Sequence, residues 1–429
     1  MQKKALSQPE FVALMAMMIA SVAFAVDSML PALTEISNTL TPDDPNRAQL
    51  IITSFVLGMG LATMVTGPLS DRFGRKPIII GGFTLYIVGA LLCYVAPTLE
   101  LLLAARLVQG LGAAGPRVAA LALVRDVYEG RRMAQIMSFT MMVFTLVPAV
   151  APLTGQFFIA IADWRAIFLG YVGFATIVGL WLLLRQPETL APENRRPFKP
   201  SSLASGAKEI LSNKTVSLTI ASQAFVFAAM FTTLSTAEPV FNQVFDRAET
   251  FPYWFGAIAL FSALGSFLNS RLVVRYGMRR IAQVTMTVQI VVSTTMTILV
   301  LTGALDGNLY FAAFLIWLQS IFLMAGLCIG NLNAIAMEPL GKMAGLGASV
   351  IGAIATVGAV IIAVPIGLSF DGTPLALTLG AAICYMFALT FLLLQMKLEG
   401  RSVIASPGAA AHPAAPAHPG TRPAVSQHS

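Results

Sequence analysis

The chain has 429 residues, of which 57% are hydrophobic and 11% charged, with a net charge of +7 and a mean hydropathy of +0.78. A typical soluble domain is roughly 25% charged, so a water-soluble globule of this length is excluded. The basic excess falls almost wholly on one side of the apolar segments, so a membrane surface explains it and no nucleic-acid partner is implied.

A bilayer core of about 30 Å needs about 20 apolar residues per helix. Twelve runs meet that length, near 11–32, 48–70, 77–96, 99–124, 136–161, 165–184, 215–238, 252–273, 281–302, 309–335, 345–369 and 374–396. They lack the strict alternation of barrel strands, so helices are the viable spanning structure. Run 1 follows Lys3 and Lys4 as a signal peptide would. It is too long for an h-region, contains Asp27 and has no clear small-x-small cleavage site, so it reads as a retained span. Between runs 2 and 3 stands Gly67 to Pro77, GPLSDRFGRKP, which is charged and broken by Gly and Pro. It is expected to be a tight surface turn outside the hydrocarbon. Gly67 and Gly74 allow close approach and a reversal. Asp71 could accept hydrogen bonds from a neighbouring helix N-terminus, and Asp126, at the end of run 4, is the obvious partner for Arg75. The alternative is a turn that only sets topology. Runs 3 and 4, 5 and 6, and 11 and 12 are joined by few residues and should be antiparallel neighbours.

Run 4 carries Arg106, Gly110, Ala113 and Arg117 on one helical face. An Arg in hydrocarbon costs at least ~2.5 kcal/mol on insertion scales, so it should face a partner or a cavity. Asp27 lies about five residues inside the end of run 1 and Arg106 about seven residues inside the start of run 4. Both are therefore roughly 8–11 Å below the same surface, a depth that permits a pair. Burial favours a protonated Asp27 and a nearby Arg favours its loss of the proton. The alternative is a helix-end acid wetted by outside water. Arg117 has no assigned partner.

Residues 1–184 are read as one six-helix bundle, 185–214 as a polar, proline-bearing linker loop, 215–400 as a second bundle and 401–429 as a disordered tail rich in Ala, Pro, Gly and His. The second half repeats the loop in faded form: Arg275-Tyr276-Gly277-Met278-Arg279-Arg280 matches Arg72-Phe73-Gly74-Arg75-Lys76, with Gly277 placed 203 residues after Gly74. Such spacing suggests internal duplication. Of the 27 basic residues, 22 fall on the side bearing both termini, three on the other, and Arg106 and Arg117 inside a span. That side is therefore expected to be the cytoplasm. Cys93, Cys328 and Cys384 lie inside runs 3, 10 and 12 as small apolar fillers. His412, His418 and His428 sit near the chain end, and no metal-ligand spacing exists.

The wording of Gly67 to Pro77 closely resembles the signature loop of the major facilitator superfamily of secondary transporters. The fold this implies is an all-α membrane protein of twelve transmembrane helices, in two six-helix bundles related by pseudo-two-fold symmetry. The resemblance also implies that Gly67, Asp71, Arg72, Gly74, Arg75 and Asp126 form a gate holding the cytoplasmic side shut. The stretch from Arg106 to Pro116 resembles a second signature of proton-coupled members, in which the Arg at position 106 is tied to proton transfer. Pro148 to Gln156 resembles the Gly-Pro-x-x-Gly-Gly signature of antiporters. Ala151 and Gln156 replace its outer glycines, while Pro152 and Gly155 remain and imply a kinked, closely packed helix. The segments Asp27 to Leu33, Leu123 to Tyr128, Trp164 to Phe168 and Pro187 to Leu190 together resemble the bicyclomycin-resistance-type (Bcr/CflA) branch of drug:proton antiporters.

The function implied is proton-driven export of amphipathic small molecules across the bacterial inner membrane, with Asp27 and Arg106 in proton coupling. The proton is the coupling ion, and no cofactor or metal is called for. A small-molecule substrate and the lipid bilayer are the partners, and a monomer is expected. Carriage of one specific metabolite on the same scaffold is the alternative. A receptor or membrane enzyme fits less well, because no loop could hold a soluble domain and no nucleophile–base cluster is present. Phe24, Met141, Phe144, Phe227 and Phe231, at helix-centre depth, are candidates for a greasy pocket.

Overall fold

The computed structural model describes residues 6–195 and 197–405. Among these the regular structure is helical, and twelve helical segments are long and apolar enough to cross a membrane. Span 1 is α1 (Gln8–Asp27), continued by a short α2 (Leu33–Leu40). Spans 2 to 6 are α3 (Leu50–Phe73), α4 (Arg75–Val95), α5 (Leu99–Val127), α6 (Gly130–Ile161) and α7 (Ala166–Arg185). After α8 (Pro200–Ser212), spans 7 to 12 are α9 (Lys214–Gln243), α10 (Phe251–Tyr276), α11 (Met278–Thr302), α12 (Gly307–Met337), α13 (Ala344–Leu368) and α14 (Leu375–Ala405).

Small residues decide which spans touch. A Cβ on Gly110 of α5 would overlap the Phe55 carbonyl of α3, and one on Gly58 would overlap the Leu107 carbonyl coming the other way. Gly112 and Gly82 do the same for α5 and α4. With no solvent-driven burial between helices in lipid, such backbone approach is a main source of association. The first six spans form one bundle and the last six another. The bundles meet along α3 with α13, where Gly60 lies against Thr356 and Val357, and along α6 with α10, where Gly256 lies against the Ala149 carbonyl. Spans 2 and 11 thus pair as spans 5 and 8 do, which is the pattern a two-fold axis between equivalent halves generates. The outward faces stay apolar: Ile177, Ile316 and Ile361 are largely exposed, as lipid contact requires.

Three expectations need correction. The loop from Gly67 to Pro77 is not an eleven-residue turn. Helix α3 runs through Pro68 to Phe73, α4 begins at Arg75, and Gly74 alone reverses the chain with φ +106° and ψ 160°. Those angles exclude a side chain at little strain. Gly277 repeats the device between α10 and α11 with φ +78° and ψ 154°. The linker is not all loop, since α8 buries Ile210 against Val216, Ile220 and Leu340 and presses Gly206 onto Leu346. Helix α14 continues to Ala405, and the rest of the tail assigned to 401–429 lies outside the described residues.

Gly110→Val should overpack the α3–α5 contact at a cost of about 1–3 kcal/mol. The check is a lowered unfolding temperature in detergent beside an unchanged Gly81→Val control, because a Cβ at Gly81 meets nothing.

Candidate functional site

The charged residues gather where spans 2, 3, 4 and 6 end together, here termed the basic end. Arg75, first residue of α4, has a side chain only 10% exposed. Its Nε donates to Asp126 Oδ2 at 2.8 Å, and its Nη1 donates to Asp71 Oδ1 at 2.5 Å and to Ser70 Oγ at 3.0 Å. The expected Arg75–Asp126 pair is therefore formed. Asp71 does not cap a neighbouring helix, because Arg75, one turn on, takes its oxygen. The carboxylate that caps a helix here is Glu188, to which sequence reasoning gave no role. It accepts the backbone N–H groups of Arg75 and Lys76, each at 3.0 Å, and those of Thr189 and Leu190. A helix N-terminus presents free donors and a positive dipole end, so this is a favourable place for an anion. Lys76 answers in reverse, donating to the Leu183 and Gln186 carbonyls at the end of α7. Thr189 Oγ1 closes the cluster onto Asp126 at 3.0 Å. Arg72 stands at the edge, donating to the Phe198 carbonyl of the linker at 3.3 Å.

The second bundle carries the matching cluster. Arg279, at the start of α11, pairs with Glu338 at the end of span 10 and with Glu399 on α14, both at 2.7 Å. Glu338 follows span 10 as Asp126 ends span 4, and Glu399 stands on span 12 near where Glu188 follows span 6. Sequence reasoning found Arg279 through the repeat but not its two acids, which have no fixed spacing from it.

Arg106 lies inside the first bundle and is fully buried. Its Nη2 donates to the Ala25 carbonyl of α1 at 3.0 Å, its Nε to the Ile51 carbonyl of α3 at 3.2 Å and its Nη1 to Gln109 Oε1 at 2.8 Å. Its guanidinium centre sits 4.6 Å from the Phe55 ring centroid. The depth inferred for Arg106 and Asp27 is correct, since Ala25 is two residues before Asp27. The direct ion pair is not formed: backbone carbonyls and a ring face already hold the guanidinium. Asp27 is 5% exposed and its carboxylate has no hydrogen bond or ion pair among the described residues. Gly155 of α6 packs close by, where a Cβ would overlap the Ser28 carbonyl. Pro152 lies inside α6, which runs unbroken through it.

At the end away from the basic cluster, polar side chains join the two bundles. Thr34 Oγ1 donates to Glu238, 2.8 and 2.9 Å from its two oxygens, and Asn242 Nδ2 donates to Thr34 at 3.1 Å. Thr236 donates to Gln49 Oε1 at 3.1 Å, and Asn46 donates to the Phe370 and Leu368 carbonyls at 2.6 and 3.2 Å. Glu238 is 2% exposed. Although it lies near the end of span 7, it is as enclosed as Asp27, because α2 from the other bundle covers it.

Of the pocket candidates, Phe24 packs within its own bundle on Tyr171 and Phe174 of α7, with centroids 5.5 and 5.2 Å apart. Phe227 and Phe231 stack on each other at 5.7 Å along α9. Met141 is exposed, and the side chain of Phe144 lies outside the described residues.

The sequence profile described as Major Facilitator Superfamily matches residues 11–365. The chain belongs to that superfamily. It is 30% identical over 387 residues to a bicyclomycin resistance protein homolog of Haemophilus influenzae, covering 88% of this chain and 94% of that protein. It is 30% identical over 169 residues to the multidrug resistance protein MdtL of Escherichia coli K12, covering 39% of this chain and 43% of that one. A crystal structure of a D-xylose–proton symporter superposes with a TM-score of 0.70 at 12% identity, over 90% of this chain and 97% of that one, a likeness of fold. Membership of the superfamily and twelve apolar helices make this a multi-pass membrane protein.

The basic-end cluster should act as a unit in this superfamily member. Arg75→Ala and Asp126→Asn should each destabilise the protein, and their double variant should fall short of the sum by about 0.5–3 kcal/mol. Additive losses in detergent unfolding would show that the pair is only adjacent.

Proposed function

We propose that the protein is a proton-coupled secondary transporter that exports amphipathic small molecules or drugs by alternating access, and that it is not an enzyme. The observation that carries this reading is the seam between the bundles. It is closed at one end by hydrogen bonds running through a buried carboxylate, Glu238, while a second buried carboxylate, Asp27, lies without a partner among the described residues toward that same end. The names of the Haemophilus and Escherichia relatives support export of drugs as the direction and cargo. The bacterial inner membrane is the proposed site, with both termini in the cytoplasm. The distribution of basic residues supports that orientation, in which the basic end is cytoplasmic. The proton is the coupling ion, no other cofactor enters, and the working unit is a monomer in the bilayer with a small-molecule substrate.

In this scheme the closed seam faces the periplasm. Opening it separates α2 from α9 and breaks the Thr34–Glu238 and Gln49–Thr236 contacts. Glu238 and Asp27 then meet periplasmic water and can take a proton there. A protonated carboxyl no longer carries a charge that must be solvated, so the seam can close again over it. The Asp71–Arg75–Asp126 cluster, Arg72, Gly67 and Gly74 hold spans 2, 3 and 4 as one body. We assign them the role of keeping the cytoplasmic ends aligned while the bundles rock. Arg106 ties α1 to α3 at the depth of Asp27 and so positions it. Phe227 and Phe231 are proposed as pocket wall, with Met141; Phe24 and the close packing at Pro152 and Gly155 shape the helices behind it.

Asp27→Asn mimics the protonated acid permanently, so a pH gradient should no longer drive net efflux from proteoliposomes held at a fixed substrate gradient. Glu238→Gln should reduce the same pH-dependent component while leaving gradient-driven exchange. If both variants keep the full pH-driven rate, the proton is carried elsewhere.

A further inference from the structure

Arg117 belongs to none of the arrangements above. It lies on the stripe of α5 that includes Arg106, Gly110 and Ala113, the face that packs on α3 and α1. Ala113 and Ala120, one turn above and below it, are fully buried, yet Arg117 itself is partly exposed. A residue on an inward stripe with buried neighbours on both sides is open to an internal space, not to lipid. Its Nη1 reaches only Met59 Sδ, at 3.2 Å, among the described residues. A thioether is a weak acceptor and offers no charge. Arg106, by contrast, has three oxygen acceptors and a ring face.

The side chain cannot escape to the aqueous surface. Arg117 stands ten residues before Val127, about 15 Å from the helix end. Helical side chains also lean toward the N-terminus, here away from that end, as the reach to Met59 confirms. No anion balances it from within. Asp27 and Glu238, the buried carboxylates among the described residues, both lie toward the opposite end. Arg106, level with Ala25, is already roughly 16 Å from Arg117. A permanently charged guanidinium held at that depth needs an acceptor of high charge density.

We propose that Arg117 is a specificity-determining residue that selects substrates bearing an anionic group, a carboxylate or sulfonate on an apolar body. The anion would take two parallel guanidinium hydrogen bonds. The apolar body would lie along the space beside Met59, a side chain that adapts to varied shapes. This inference rests on the export reading for its consequence but not for its test.

The test is ligand binding to the purified full chain in nonionic detergent, read as half-saturating concentration for thermal stabilisation. The probes are matched pairs: 1-naphthylacetate with 1-naphthylacetamide, and fusidate with its methyl ester. The wild-type protein should bind each anion about tenfold better than its neutral partner. Arg117→Gln should bring each pair within about twofold, and Arg117→Lys should keep part of the preference. Equal binding of anion and neutral partner by the wild type overturns the proposal, as does a preference that survives in Arg117→Gln. If Arg117→Gln does not fold, Arg117→Lys decides, with an undiminished preference counting against a guanidinium site. Added phosphatidylglycerol distinguishes a lipid headgroup as the occupant: competition by it as strong as by the free carboxylates also overturns the proposal. Efflux of the same pairs from proteoliposomes separates the two readings. Anion-selective binding without pH-driven efflux removes the export function and leaves this site, whereas efflux blind to probe charge removes the site and leaves export.

Discussion

Hydrocarbon offers no hydrogen bonds, and this constraint shapes nearly every polar contact in the molecule. A polar group left unsatisfied at that depth costs several kcal/mol, so most of those inside a span are answered by another part of the chain, with Asp27 and a few buried Gln and Tyr side chains as exceptions among the described residues. Arg106 shows how the answer becomes architecture. Its guanidinium takes carbonyls from α1 and α3 at once, so three spans are fixed in register around one side chain. Tyr171 of α7 adds a fourth span by donating to the same Ala25 carbonyl at 3.1 Å. Ala25 sits two residues before Asp27, so the geometry that satisfies Arg106 also sets where that acid stands.

The two bundles solve the problem of their charged ends in the same way. Each uses a positive-φ glycine to turn between its second and third spans, followed within two residues by an arginine that collects acids from the ends of other spans. These ion pairs are within bundles, not between them. The bonds that cross between bundles gather at the other end, through Thr34, Gln49 and Asn46. The molecule is therefore two internally braced bodies that pack along α3 with α13 and α6 with α10 and are hydrogen-bonded together at one rim.

The fold was legible in the sequence because span length, positive charge and the repeated Gly-Arg turn are local or periodic signals. The Arg75–Asp126 pair was legible too, since both residues fall at span ends on the same side. What stayed hidden depends on which side chains face each other across the chain. Glu188 caps α4 from more than a hundred residues away, and nothing local marks it. Glu238 falls near the end of span 7 in the sequence, and its burial comes from α2 of the other bundle. The expected contact of Asp27 with Arg106 rested on equal depth, which is necessary for a pair but leaves the direction of each side chain open. The length of the turn at Gly74 was overestimated because Pro68 reads as a breaker in sequence, whereas α3 carries it near its end.

The segment between the bundles has a mechanical meaning that follows from where it is fastened. On one side Glu188 and Thr189 are pinned to the first bundle; on the other, α8 is seated on the second through Ile210 and Gly206. Nine residues separate Leu190 from Pro200, with Phe198 among them held by Arg72 of the first bundle; once released they could reach roughly 30 Å at full extension. Such a strap behaves as a leash of fixed length: slack while the basic ends of the bundles are close, taut once they swing apart. The amplitude of rocking is thus bounded by the chain itself, and a wider opening would have to lift α8 off its apolar seat.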